Sequence, residues 1–252
     1  MSAGAPFRTA GVVFAVVLLI CAGAGAARLL TTQQPGGTMV VLVGGSPSAQ
    51  SSPQAIAECA EAAGARAIAT GAQLTIVPVG SVPADLRTSP ISTALTFAER
   101  LDPAGAEHAR EELSRQVAAR VAVLADGPRP SGSSDTITAI EIAAEQLAQA
   151  APPRQLEVCD DAHEVGRFPF GRVDFYSERL TPARVRELLA QMRPWLPDLS
   201  TVAVTFGATD TDRLVRVRWA REAAIGGFWS AWALVTHAQE FSYREVASGG
   251  ED

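Results

Sequence analysis

The chain has 252 residues, 47% of them apolar, enough for one domain with a sizeable core plus a short appendage. A net charge of -6 gives no global basic signature for nucleic acid, and no nucleic-acid partner is expected. Three cysteines without a C-x-x-C pair make neither a disulfide scaffold nor a sequence-local zinc site.

Residues 11–27 form an uncharged apolar run of 17 residues between Arg8 and Arg28. That length is the lower limit for a membrane-spanning helix. A basic start, an apolar middle and the small residues 22–26 also fit a cleavable secretory signal. Both readings export the rest of the chain, and a retained anchor is the one adopted here. Residues 1–37 are thus read as a signal-anchor or transmembrane segment with a linker, 38–246 as one α/β domain and 247–252 as a disordered tail.

Residues 39–43 are continuously apolar and stop at Gly44-Gly45-Ser46-Pro47-Ser48, which predicts a buried strand ending in a turn. A helix over 52–69 follows, with Ser52 as N-cap and Pro53 at its first position. Residues 74–79 read as a second strand and 91–97 as a poor third, paired with the second as a hairpin. Asp102-Pro103 opens a helix to about 124, and Ser134-Asp135 opens another with Ile137, Ile140, Ala144 and Leu147 inward. Residues 156–159 form a strand in which Glu157 is unexpected. Residues 162–179 read as irregular, with an extended piece at 173–176. Thr181-Pro182 starts a helix that buries Val185, Leu188, Leu189 and Met192 and ends before Pro194 and Pro197. Residues 201–206 form a further strand. A helix over 212–239 carries Ile225, Phe228, Trp229, Trp232 and Val235 on one stripe, with Gly226-Gly227 marking a kink or a close approach. Residues 241–246 could supply a last, shortened strand. Strands alternating with helices predict a three-layer, Rossmann-like α/β fold, with a mostly parallel sheet and helices on both faces.

Three loops should then meet at the carboxyl edge of the sheet. They carry Ser46 and Ser48, then Ser134-Asp135, then Asp160-Asp161. Hydroxyls and carboxylates are hard oxygen ligands that suit Mg2+ or Mn2+. The arrangement resembles the von Willebrand factor type A (vWA) domain with its metal-ion-dependent adhesion site. That family carries Asp-x-Ser-x-Ser after the first strand, and here Gly44 stands in the aspartate's place, followed by Ser46 and Ser48. Ser134 falls at the family's threonine and Asp160 at its later aspartate. The resemblance implies a protein-binding or scaffolding module at the cell envelope, non-catalytic in most members. The metal ligands it implies are Ser46, Ser48, Ser134 and Asp160. The lost carboxylate implies that Mg2+ or Mn2+ binds weakly or not at all.

A serine hydrolase using Ser46 is the rival, since Gly44-x-Ser46-x-Ser48 nearly matches a nucleophile elbow and His163 or His237 could act as base. The missing second glycine and the early strand oppose it. Each histidine, His108 included, is read as structural. Arg213, Arg216, Arg218 and Arg221 form the one basic cluster, read as a solvated helix face, with an anionic lipid or acidic partner as the alternative. Trp219, Phe228, Trp229 and Trp232 are read as core. Cys59 and Cys159 are read as small buried residues, a disulfide being the alternative in an exported domain.

Overall fold

The computed structural model describes residues 36–44, 53–79, 90–96, 99, 101–126, 135–160, 162–168, 171–175, 179–209 and 215–246, with side chains 125–126, 165, 167, 208–209, 215–222 and 244–246 not described. The strands are β1 (Thr38–Val43), β2 (Gln73–Pro78), β3 (Ile91–Ser92), β4 (Arg154–Asp160), β5 (Val165–Phe168), β6 (Gly171–Asp174), β7 (Val202–Thr209) and β8 (Glu240–Val246). The helices are α1 (Pro53–Thr70), α2 (Pro103–Asp126), α3 (Thr136–Ala148), α4 (Pro182–Met192) and α5 (Val215–Val235).

Six strands form the main sheet in the order β3-β2-β1-β4-β7-β8, and β5 pairs with β6 in a separate hairpin. Neighbours in the main sheet run parallel, except that β3 is antiparallel to β2. Every residue of β1 is buried, as a central strand covered on both faces requires. Alternation along it feeds two cores. Met39, Val41 and Val43 pack with Ile56, Ala60 and Ala63 of α1 and with Val117 and Val121 of α2. Val40 and Leu42 point the other way, into a core built with α3, α4 and α5. The chain is therefore an α/β domain whose mostly parallel mixed sheet carries helices on both faces, compatible with a Rossmann-like fold.

Two helix starts are capped at expected residues, while Ser52, the expected cap of the first helix, lies outside the described residues. The Asp135 carboxylate accepts the Thr138 N–H at 3.0 Å, and the Thr181 hydroxyl accepts the Arg184 N–H at 3.2 Å ahead of Pro182. The stripe of α5 is core: Ile225, Phe228, Trp229 and Trp232 are all fully buried. Phe206 and Phe228 pack against Trp229, with ring centroids 4.5 and 5.2 Å away. The Gly226-Gly227 pair breaks nothing, because α5 runs unbroken through it. A methyl at Gly226 would make ordinary contact with the Tyr243 ring, and one at Gly227 would meet nothing.

Several elements differ from the sequence expectation. The third strand is only two residues long, because Thr93 turns its hydroxyl to the carbonyls of Ala67 and Ala72 at the end of α1. The segment read as irregular contains the β5–β6 hairpin, which buries Val173 and places Phe175 in the core just beyond it. The last helix ends at Val235 rather than near residue 239. His237 takes a left-handed conformation (φ 56), its N–H reaching Leu234 O while the Ala238 N–H reaches Ala233 O. That is a Schellman termination with histidine at the position glycine usually holds.

Glu157, unaccounted for in the sequence, also finds its reason. It faces α1, where Arg66 Nη2 lies 2.8 Å from its carboxylate. Among the described residues no helix is long and apolar enough to cross a membrane. The run 11–27 lies outside the described residues.

Candidate functional site

Sheet order reverses between β1 and β4: the chain builds outward from β1 to β2 and β3 on one side, then from β4 to β7 and β8 on the other. In doubly wound sheets the crevice beyond the carboxyl ends of two such strands is the usual ligand position. Here those ends are Gly44 and Asp160.

The two residues are held together by the parallel ladder. The Gly44 N–H donates to Cys159 O at 2.7 Å, continuing the register in which Val43 faces Cys159. A Cβ on Gly44 would overlap the Asp160 carboxylate and approach Asp160 Cα to 3.0 Å. The absence of a side chain at position 44 is therefore what lets Asp160 lie across the end of β1.

Asp160 is almost fully buried. Its Oδ2 accepts the Thr136 hydroxyl at 3.0 Å. A hydrogen bond to a buried carboxylate of this kind is worth about 1.5–3 kcal/mol. Thr136 opens α3 and is fully buried. Of the sequence-predicted ligands, Asp160 alone lies among the described residues, at the carboxyl end of β4, and Ser46, Ser48 and Ser134 lie outside them. The hydroxyl that touches Asp160 belongs to Thr136, two residues beyond Ser134. Residue type was the available signal, since the resembled family has a threonine there.

Glu164 was not anticipated. It is completely buried, and its Oε2 accepts the Ile137 N–H at the start of α3, 3.1 Å away. Among the described residues its Oε1 has no hydrogen-bond partner. Burial, then the nearby charge of Asp135, push the Glu164 carboxyl well above the usual carboxylate range, and the Ile137 N–H only partly opposes them. A helix N-terminus ordinarily favours an anion. Burial prevails here, and Asp135 already serves as the cap of that helix. No sequence pattern marks Glu164, because its position depends on the loop after β4 folding back under α3. Ala162 in that loop has φ 60, an uncommon conformation for a residue with a side chain, and its carbonyl accepts the Trp229 Nε1–H at 2.9 Å. The strained turn is thus clamped by the core of α5.

Among the described residues the Asp160 carboxylate is already bonded to the Thr136 hydroxyl, the Asp135 carboxylate caps α3, and the buried Glu164 carboxyl is pushed toward its neutral form. Magnesium and manganese sites use hard oxygen donors and several retained waters. The described donors alone do not fit a tightly held cation.

The three histidines lie at separate places in the fold, and Ser46 is outside the described residues. His237 terminates α5, is exposed, and lies 3.9 Å from Asp198. His108 is exposed on α2. His163 is buried in the turn after Asp160. Of the basic cluster, residue 213 and the side chains of 216, 218 and 221 lie outside the described residues, as does the Trp219 side chain.

Both cysteines are buried as read, and the alternative pairing is the one realised: Cys59 of α1 and Cys159 of β4 form a disulfide with Cα atoms 5.7 Å apart. Comparison with protein-family models, with curated proteins and with solved structures gave no match.

Proposed function

We propose that the chain is a vWA-like module, exported and tethered to the cell membrane through residues 11–27, that binds or scaffolds a protein partner at the cell envelope. The observation that carries this reading is the meeting of Gly44, Thr136 and Asp160 at the switch point of the sheet. Those positions follow the first strand, open a helix and end the fourth strand, as the ligand-bearing positions of the resembled family do. The antiparallel β3 beside β2 supports it further. A buried disulfide fits an oxidising compartment and so supports export, with secretion after signal cleavage as the alternative. Metal plays at most a weak part, because Gly44 supplies no carboxylate and Asp160 is engaged by Thr136. No cofactor is assigned.

The test is site-specific photo-crosslinking of the full chain in its native membrane, from position 48 in the segment that follows Gly44 in the sequence and from Ser114 on α2 as control. The reading expects a discrete protein adduct from position 48 alone, in the membrane fraction, lost on deletion of residues 1–30. Equal crosslinking from both positions, or a full-length chain in the cytoplasmic fraction, would overturn it. Stoichiometric fluorophosphonate labelling, abolished by Ser46→Ala, would transfer the assignment to the α/β serine hydrolase.

A further inference from the structure

We infer that Cys59, Glu157 and Cys159 form a zinc site in the reduced chain, exclusive with the disulfide that the same cysteines make when oxidised. The three side chains are buried, and one ligand atom from each lies within 4.8 Å of the others. Among the described residues they are the one such group of three.

The geometry follows from the strand and helix periods. Glu157 and Cys159 are two apart on β4 and so project on the same face, toward α1. Cys59 comes from α1, about two helical turns before Arg66, which pairs with Glu157 at 2.8 Å. Zinc takes thiolate, imidazole and carboxylate ligands in tetrahedral sets, with water filling an open fourth position and Zn–S near about 2.3 Å. The Gly207 carbonyl oxygen, 3.9 Å from Cys59 Sγ, borders the fourth position. Gly207 is itself required there, since a side chain would run into that sulfur.

Charge supports the same assignment. Two thiolates and a carboxylate carry three negative charges, matched by one Zn2+ and the Arg66 guanidinium. An uncompensated buried charge would be costly. Arg66 is partly exposed, 43% by side chain, and marks the side from which a metal would enter. The sequence offered no sign of this because zinc ligands are usually recognised by short spacings. Here 100 residues separate the two cysteines.

The chemistry balances with a dithiol as reductant. Exchange converts the protein disulfide to two thiols and the dithiol to its own disulfide. Zn2+ then displaces the two thiol protons, which pass to water. The helix α1 is thereby pinned to β4 in either state, by a covalent bond or by a metal. The cluster also adjoins the switch point, since Cys159 O accepts the Gly44 N–H.

The test uses the full chain in detergent, oxidised or reduced with a non-coordinating phosphine, and titrated with Zn2+ against a chromophoric chelator. The expected result is one zinc per reduced chain and none per oxidised chain, with thiolate-to-metal charge transfer when Co2+ replaces Zn2+. Glu157→Gln, which leaves the disulfide possible, should weaken zinc at least about tenfold, and Cys159→Ser should abolish it. Should the reduced chain unfold, recovery of its circular dichroism on adding Zn2+ supports the site, since metal binding and folding are then coupled. Failure to recover, equal binding by the oxidised chain, or binding indifferent to Cys159→Ser would overturn it.

Discussion

Gly44 and Asp160 occupy the ends of adjacent parallel strands so closely that the carboxylate of one fills the space where the other would carry a side chain. The residue at position 44 thus decides whether a further carboxylate can face Asp160 across the strand ends. Millimolar Mg2+ or Mn2+ should leave the melting temperature of the unmodified chain nearly unchanged, because a ligand stabilises only in proportion to its affinity for the native state. Gly44→Asp should melt lower in chelator, where two carboxylates are forced together. Adding Mg2+ should restore it. Thermal melts with and without metal decide this, and a large Mg2+ shift in the unmodified chain would show that the site is complete by other means.

The acidity around α3 sets a pH dependence. Burial, followed by the charges of Asp135 and Glu145, raises Glu141 from its ordinary 4.5 to about 7. Glu164 is displaced in the same direction. A raised carboxyl binds its proton more tightly in the folded state. Its contribution is therefore complete below the unfolded pKa and is lost as pH rises through the folded one. Stability should fall between about pH 5 and pH 8 by this route. Glu141→Gln should flatten that slope in denaturant melts, and an unchanged slope would exclude Glu141 as its source.

Truncating the core of α5 tests the placement of that helix. Trp232 is fully buried, with Trp229 and Phe206 beside it at ring-centroid distances of 5.6 and 6.5 Å. Trp232→Ala should cost about 3–5 kcal/mol. For a domain of this size that lowers the melting temperature by roughly 6–20 °C. A parent-like melt combined with loss of an associating partner would instead make the stripe an interaction surface.

Two helical glycines should respond in opposite senses. Gly227 is exposed and a methyl there meets nothing, so Gly227→Ala should stabilise by about 0.5–1 kcal/mol through backbone entropy. Gly64 lets α1 approach α2, and a methyl there would run 2.5 Å from Val117 Cγ1. Gly64→Ala should destabilise by about 1–3 kcal/mol. Denaturation midpoints of the two variants check the pair, and a shared sign would contradict the packing of α1 on α2.

The sequence by itself determined the alternation of strands and helices, the caps at Asp135 and Thr181, and the buried stripe of α5. These depend on periodicity, chain stiffness and short-range hydrogen bonds, all of which act within a few residues. Asp160 was chosen through the family resemblance, and the local sequence showed only that a pair of aspartates follows an apolar run. Only the tertiary structure decided that Thr136 is the hydroxyl on Asp160, that Glu164 is buried beneath α3, and that Glu157 meets Arg66. Likewise, only packing brought Cys59 to Cys159. Each of these joins groups far apart along the chain, and their meeting depends on how the sheet stacks against its helices. The hairpin at 165–174 stayed hidden because a short two-stranded piece is marginal alone and gains its stability from the core it covers.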